Sequence, residues 1–290
     1  MAEVSYFAEE DLATAIFLAL RLDKPLLLEG QPGVGKTAVA LALSKLTGGP
    51  LIRLQCYEGL DVASAAYEWN YPRQLLSIRS LDEAKSSSES SSESSARASA
   101  LKTLYSREFL LARPLLKALE APAAQAPPVL LVDELDRADE EFEAYLLELL
   151  SEFQITIPEL GTVRAQRPPR VILTSNRTRE VHDALRRRCL YHWLEFPDAA
   201  KELRILQAHL PDLEEALAQR IVAFVQRLRE QDLYKSPGVA ETVDWALALH
   251  TLNQNELTAD NVNQTLGALL KFQDDIQKIR DQSLDSLLEA

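Results

Sequence analysis

A glycine-rich stretch, EGQPGVGKTAVA, occupies residues 29 to 40 and directly follows a short apolar run. Gly30, Gly35, Lys36 and Thr37 fit the pattern G-x-x-x-x-G-K-S/T without a gap. In such a loop the backbone N–H groups turn inward and hold phosphates at the N-terminus of the next helix. The alternative is a glycine-rich turn with a chance Lys-Thr pair. The complete pattern, placed between a predicted strand and a predicted helix, favours the phosphate site.

The side chains of this loop indicate which groups they would bind. Lys36 would reach the outer phosphates, and Thr37 would offer its hydroxyl to Mg²⁺. The predicted nucleotide-binding residues of the loop are Gly30, Gln31, Pro32, Gly33, Val34, Gly35, Lys36, Thr37 and Ala38.

Two adjacent carboxylates follow a second apolar run, in the sequence VLLVDELD. A strand over residues 129–132 would bring Asp133 to its C-terminal end, where an open parallel sheet places its ligands. Asp133 would hold the Mg²⁺ shell, and Glu134 would orient or deprotonate an attacking water. Alone, Asp-Glu after an apolar run indicates a solvated strand end. The P-loop in the same chain favours the catalytic interpretation.

Two further polar features come later in the chain. Asn176 follows the apolar segment RVILTS and could hold the attacking water from the far side of the γ-phosphate, although an ordinary turn asparagine is the alternative. Arg186, Arg187 and Arg188 end a short predicted helix, and arginine is suited to stabilising phosphoryl charge from outside a site. Surface salt bridging is the alternative, and we expect it for two of the three.

The elements that must position these residues alternate between strands and helices in the first two thirds of the chain. This alternation predicts an α/β fold with a parallel sheet and helices on both faces. Strands are predicted at 25–28, 51–55, 129–132, 170–174 and 190–196, with early helices at 9–22 and 37–46. Later helices are predicted at 199–209, 212–231, 238–252 and 258–280. The predicted domains are an α/β nucleotide-binding domain over 1–197 and a helical lid over 198–290.

Composition narrows the class of protein. Hydrophobic residues make up 47% of the 290 residues, which is enough for a full core, and no apolar run reaches the roughly 18 residues of a membrane span. The early acids of the N-terminus do not resemble a signal peptide, and two cysteines suit a reducing cytoplasm. The net charge of −13 disfavours general nucleic-acid binding.

Residues 84–100, rich in serine, are predicted to form a flexible surface loop.

The order GQPGVGKT, LLVDELDRA, TSN and LRRRC, followed by a helical bundle, resembles an AAA+ ATPase. Three segments resemble the MoxR group: DELDRADEEFEAYLLELLSEFQITI, the hairpin-like ITIPELGTVRA, and CYEGLDVASAAYEWNYPRQLL. The last of these, with SPGVAETVDWA, is similar to the CoxD-like branch. The resemblance extends from about residue 7 to residue 280, with the serine-rich segment as the main departure.

This resemblance implies a role for each matching residue. Residues 30–37 match Walker A, Asp133 and Glu134 match Walker B, and Asn176 matches sensor 1, so ATP and Mg²⁺ are the implied ligands. Arg188 best matches the arginine finger that reaches a neighbouring subunit, with Arg187 as second choice.

The resemblance also implies partners. A homo-oligomeric ring is expected, often a hexamer, acting as a chaperone-like motor that matures enzyme complexes or inserts metal cofactors. A protein with a von Willebrand factor A domain and a client metalloenzyme are the expected partners, the latter a molybdenum–copper hydroxylase in the CoxD-like case.

One departure affects how nucleotide would be sensed. Many MoxR relatives have an arginine after a Ser-Pro pair in the helical domain, serving as sensor 2, whereas here Gly238 follows Ser236 and Pro237. Lys235 is a possible substitute. A slow nucleotide-dependent binding switch therefore remains an alternative to the remodelling motor. A clamp-loader-like ATPase acting on DNA is a third hypothesis, which the net charge disfavours.

Two segments are candidates for partner contacts. Residues 67–73 concentrate aromatic residues and arginine, so Trp69 and Tyr71 either anchor an interface or pack the segment onto its own subunit. Residues 155–165 are predicted to form a short hairpin, which the family resemblance implies would project toward the ring axis; a plain connecting loop is the alternative. Trp245 is predicted to lie in a helical core.

Overall fold

The computed structural model describes residues 6–85, 104–281 and 284–288. The strands within these residues are β1 (Leu26–Gly30), β2 (Leu51–Gln55), β3 (Tyr67–Trp69), β4 (Leu110–Ala112), β5 (Val129–Asp133), β6 (Gln154–Ile157), β7 (Gly161–Arg164), β8 (Arg170–Ser175) and β9 (Leu190–Leu194). Five of them form the main sheet in the order β2-β5-β8-β1-β9, and two pairs form separate small sheets, β3-β4 and β6-β7.

Helices separate and follow these strands. The helices before β9 are α1 (Glu10–Leu22), α2 (Lys36–Thr47), α3 (Val62–Ala65), α4 (Tyr71–Lys85), α5 (Pro114–Leu119), α6 (Glu140–Glu152) and α7 (Asp183–Arg186). After β9 come α8 (Ala199–His209), α9 (Glu215–Arg229), α10 (Val239–Thr251), α11 (Ala259–Leu269), α12 (Gln273–Asp281) and α13 (Leu284–Leu288). Short 3₁₀ turns cover Arg107–Phe109 and Leu135–Arg137.

The main sheet confirms the predicted fold class. β5 pairs in parallel with β2, where Gln55 is opposite Asp133, and with β8, where Val132 is opposite Leu173. Every residue of β1 and of β5 is buried, as expected for parallel strands that read as continuous apolar runs. A parallel sheet with flanking helices and a helical C-terminal region is therefore the fold of this chain.

The chain divides into two compact units, each with its own core. The first unit combines the residues up to Ala13, Leu28–Leu46 and the chain from His192 onward. Its C-terminal helices enclose a core in which Trp245 is fully buried and packs against Phe224, with ring centroids 5.3 Å apart. The prediction that Trp245 is a core residue is confirmed.

The second unit combines Thr14–Leu27 and Thr47–Tyr191. Its core gathers the apolar residues of β2, β5 and β8 together with those of α5 and α6. The polar residues that follow β5 and β8 therefore sit at the ends of buried strands, whose backbone is fixed by the ladder hydrogen bonds and by the core.

The predicted hairpin is present, as β6 paired with β7 in antiparallel register. The aromatic segment lies outside the main sheet, in β3 and the start of α4. Trp69 is only 8% exposed and meets Tyr105 edge to face at 5.4 Å, whereas Tyr71 is 59% exposed. Of the two predicted roles, packing of the segment onto its own subunit is therefore correct for Trp69. The exposed Tyr71 does not pack in this way.

Two predictions of local structure were wrong. The single helix predicted over 258–280 is two helices, α11 and α12, because Leu270 adopts an extended backbone and buries its side chain in the helical core. Lys271 then donates to the carbonyl of Ala268 at 2.6 Å, which satisfies one of the last carbonyls of α11. The flexible loop predicted over 84–100 does not include residues 84 and 85, which belong to α4, and the rest of that segment lies outside the described residues.

Membrane insertion was not expected from the sequence. Among residues 6–85, 104–281 and 284–288, no helix combines the length and the apolar character that a bilayer crossing requires.

Candidate functional site

The glycine-rich loop connects β1 to α2, as the sequence predicts. The Lys36 ammonium donates to the carbonyl oxygens of Gly30 and Gln31, both at 2.8 Å. These contacts hold the ammonium against the loop backbone at the start of α2, where a lysine that binds outer phosphates is required. Gly35 has a φ of 97°, which glycine adopts without strain and other residues rarely adopt.

The loop also contacts the N-terminus of α10, within the same unit. The carbonyl oxygen of Gly33 accepts a hydrogen bond from the N–H of Val239 at 2.9 Å. A Cβ added to Gly238 would lie 2.6 Å from the Cα of Gly33, so only glycine allows this approach. Gly238 is therefore packed against the loop backbone and has no room for a side chain.

A buried ion pair supports the segment that carries Gly238. The Arg229 guanidinium pairs with Glu202 at 2.6 Å, and both side chains are buried. Arg229 also donates to the carbonyl of Pro237 at 2.9 Å, and Thr242 donates to Glu202 at 2.8 Å. The helices α8, α9 and α10 are thus joined by side chains directly behind the residues that contact the loop.

The acidic pair lies at the end of β5. Asp133 is buried, and its Oδ1 accepts the hydroxyl hydrogen of Thr174 at 2.6 Å. The same hydroxyl oxygen accepts from the N–H of Glu134 at 2.9 Å. Glu134 adopts the left-handed backbone conformation, with a φ of 55°, which is uncommon for a residue other than glycine. This conformation ends the alternation of side chains between the two faces of the strand. Asp133 and Glu134 therefore differ in surroundings, with Asp133 enclosed and Glu134 partly exposed.

Arg53, which the sequence interpretation missed, contacts Asp133 from the neighbouring strand β2. Its Nε and Nη2 both donate to Oδ2 of Asp133, at 3.0 Å and 2.6 Å. The sequence shows an arginine within a short predicted strand, which is a weak indication of a functional role. No local pattern in the sequence predicts its contact with a residue 80 positions later.

Asn176 is positioned by Asp136, a second buried carboxylate that sequence interpretation did not single out. Asp136 accepts from the N–H of Asn176 at 3.1 Å, from the N–H of Thr178 at 2.9 Å and from the Thr178 hydroxyl at 2.6 Å. The loop after β8 is thereby fixed to the turn after β5. The predicted water-holding asparagine therefore lies on a segment that Asp136 holds through two backbone N–H groups and one hydroxyl.

The arginine cluster occupies the end of α7 and the residues after it. Arg187 forms an ion pair with Asp183 at 2.7 Å, and the Arg186 guanidinium lies 5.5 Å from the centroid of the Tyr191 ring. Arg188 donates to the Ser151 hydroxyl at 2.6 Å and to a backbone carbonyl at 2.9 Å, both neutral acceptors. Surface ion pairing therefore describes Arg187, the second choice for a finger.

A buried thiol lies beside the acidic cluster. Cys56, directly after β2, donates its N–H to the carbonyl oxygen of Asp133 at 2.8 Å. Burial, together with the negative charge of Asp133, raises the pKa of the Cys56 thiol to about 12. The thiol therefore stays protonated at neutral pH and acts as a small apolar residue at this end of the sheet.

These features define a P-loop nucleotide-binding protein: a complete phosphate loop after one strand of a parallel sheet, and an Asp-Glu pair after another. Residues 25–189 match the family model of the AAA domain, dynein-related subfamily. The match covers more than half of the chain, and the chain therefore belongs to the dynein-related subfamily of AAA proteins. It is an ATP hydrolase of the P-loop class, which confirms the AAA+ resemblance seen in the sequence.

The part of this chain that is similar to a known protein differs from one protein to the next. A 51-residue segment, 18% of this chain, is 43% identical to Midasin from Giardia intestinalis and spans 1% of that protein's length. Two structures of RuvB variants from Thermotoga maritima each give a TM-score of 0.51. They are 16% and 17% identical, over 90% and 94% of this chain and 70% and 74% of theirs. At this level of identity the RuvB likeness shows the fold alone.

Proposed function

We propose that the chain is an AAA+ ATPase of the MoxR group, CoxD-like branch. In this proposal it couples ATP binding and hydrolysis to chaperone-like remodelling or maturation of a partner enzyme complex. The observation that carries the proposal is the Lys36 ammonium fixed in a complete P-loop, in the same chain as the Asp133–Glu134 pair at the end of a buried strand. The three MoxR-like segments support the finer assignment.

Each loop and strand residue has a role in this proposal. Residues 30–38 bind the phosphates of ATP, Thr37 and Asp133 hold Mg²⁺, and Glu134 orients or deprotonates the attacking water. Mg²⁺ would neutralise charge on the β- and γ-phosphates. The hydroxyl and carboxylate oxygens are ligands that suit this ion. In the described part of the chain, no three His, Cys, Asp or Glu side chains could hold a metal by themselves. The nucleotide phosphates would therefore complete the shell.

Assembly would complete the site. Asn176 is the proposed sensor 1, and Arg188 is the proposed finger acting on a neighbouring subunit's nucleotide in a ring, by family resemblance a hexamer. The neutral contacts of Arg188 support this choice over Arg187, whose charge is already paired. We propose an α/β nucleotide-binding domain over 1–197 and a helical lid over 198–290.

The proposed partners follow from the same resemblance. They are a protein with a von Willebrand factor A domain and a client metalloenzyme, in the cytoplasm. The net charge of −13 favours protein clients over nucleic acid.

Steady-state ATP hydrolysis against protein concentration tests the proposal. Specific activity is expected to rise with concentration, because a finger in trans requires a neighbour. Glu134→Gln should lower kcat by about 10²–10⁴ and still bind ATP, since it removes only the group that acts on water. Arg188→Ala should lower kcat on the order of 10³-fold.

Arg187→Ala is the matched control, because it removes a neighbouring guanidinium of the same helix end. Its loss of an exposed ion pair is expected to change kcat by less than about fivefold. If Arg187→Ala abolishes turnover and Arg188→Ala does not, the finger assignment is reversed. A specific activity independent of concentration would contradict a finger in trans.

A slow nucleotide-dependent switch is the second candidate. The contact between Gly238 and Gly33 favours it, because no arginine can occupy this position to sense the γ-phosphate. Wild-type protein that binds ATP and does not turn over at any concentration, with or without its partner, would support the switch and contradict the motor.

A further inference from the structure

Arg53 is the side chain that faces the proposed metal carboxylate from β2. Its side chain is 54% exposed, whereas that of Asp133 is 4% exposed. The guanidinium is therefore the solvent-facing end of the pair, and the carboxylate is the buried end. A charge-assisted pair of this kind neutralises the aspartate at low cost in solvation, since the guanidinium keeps part of its hydration.

The hydrogen bonds show which carboxylate oxygen Arg53 occupies. A carboxylate oxygen has two acceptor positions, and Oδ2 of Asp133 receives both Nε and Nη2 of Arg53. Oδ1 accepts from Thr174 instead. Thr174 thus holds one oxygen of the carboxylate, and the Arg53 guanidinium holds the other.

Arg53 has a second partner outside the site. Nη2 also donates to Oε1 of Gln55, on the same strand, at 2.5 Å. Nη2 of this half-exposed arginine thus has an acceptor besides the carboxylate of Asp133. Gln55 therefore marks a position to which the guanidinium can withdraw.

We propose that Arg53 is a positioning residue that acts as an exchangeable counter-ion. It neutralises Asp133 while no divalent cation is present, and it withdraws toward Gln55 when Asp133 joins the Mg²⁺ shell. The guanidinium and Mg²⁺ would both interact with the charge of this one carboxylate, so Arg53 lowers the affinity of the nucleotide complex for Mg²⁺ and makes metal loading a side-chain exchange. This inference rests on the proposed function, in which Asp133 holds Mg²⁺.

The test measures binding of the fluorescent nucleotide mant-ATP in excess Mg²⁺ and in EDTA. The dissociation constant in EDTA divided by the dissociation constant in excess Mg²⁺ measures the coupling between metal and nucleotide. Arg53→Gln should raise this ratio about fivefold, because the mutation removes both the competitor and the repulsion between guanidinium and metal. Arg53→Met, a second neutral variant of similar length, should raise it similarly. Arg53→Lys keeps the positive charge next to Asp133 and should leave the ratio within about twofold of wild type.

Arg113→Gln is the matched control, because it breaks a half-exposed ion pair of the same unit with Glu68. Its ratio should equal that of wild type. A ratio that is unchanged or lowered in both neutral variants, with thermal unfolding as in wild type, overturns the exchange model, since a merely structural ion pair predicts that result. Failure of the proposed function is distinct: the wild type would then bind no mant-ATP in either buffer.

Discussion

The P-loop and the acidic cluster after β5 are built by different kinds of contact. The loop is held through its backbone: Lys36 bonds two loop carbonyls, and Gly33 accepts from the N–H of Val239. The acidic cluster is held through side chains, since the carboxylates of Asp133 and Asp136 accept hydrogen bonds from Thr174, Asn176 and Thr178. Backbone contacts require small residues where two segments approach closely, whereas each carboxylate requires specific donors from a distant part of the chain.

This difference determines how each region should respond to mutation. A backbone contact fails when a side chain is added, because the two chains can no longer approach. A buried carboxylate fails when its charge or its acceptor is removed, because donors around it are left unsatisfied. The mutations below separate the two behaviours, in order of expected effect.

The largest effect is expected from Glu202→Ala, behind the loop contact. The mutation leaves the buried Arg229 guanidinium without its carboxylate, which should lower the free energy of unfolding by about 3–5 kcal/mol. Urea denaturation measures this loss. Glu68→Ala, in a pair exposed on both sides, is the control and should cost less than about 1 kcal/mol. Equal losses of unfolding free energy in the two variants would refute the claim that burial makes the Arg229–Glu202 pair more important for stability.

Gly238→Ala breaks the backbone contact directly. Its Cβ would lie 2.6 Å from the Cα of Gly33, so the two segments must separate, at a cost of about 1–3 kcal/mol. Weaker mant-ATP binding should accompany the loss, because the P-loop loses a contact. Gly267→Ala is the opposite control: it adds a Cβ in open space within α11 and should stabilise by up to about 1 kcal/mol. A Gly238→Ala protein as stable as wild type would show that the contact is dispensable.

The last prediction concerns Asp136→Asn in the acidic cluster, whose loss of stability should be no larger than that of Gly238→Ala. One acceptor oxygen becomes an NH₂ group among three donors, which should cost about 1–3 kcal/mol. It should also reduce kcat more than nucleotide affinity, because Asn176 loses its support. Asp139→Asn, at an exposed carboxylate that accepts from Gly59, is the control and should cost less than about 1 kcal/mol. Loss of nucleotide affinity with kcat unchanged would contradict the assigned role.

Local sequence was sufficient for much of the fold. The strand at 51–55 and the helix at 199–209 have the predicted bounds, and the buried strands at 129–133 and 170–175 differ from prediction by one residue. Continuous apolar runs and helical periodicity are short-range signals, and caps such as Asp198, which accepts from the N–H of Lys201, fix helix starts. The break at Leu270 was missed because the apolar pattern continues through it.

The chemistry of the P-loop and the identity of the Asp-Glu pair were determined by the sequence alone, because a phosphate loop is a local structure whose glycines, lysine and threonine must be contiguous. Only the tertiary structure decided which residues surround them. Arg53 contacts Asp133 from a strand 80 residues earlier, and Gly238 contacts Gly33 from the C-terminal helices. Such pairs depend on the strand order and on helix packing, and no periodicity along the chain records which distant residue will be the neighbour.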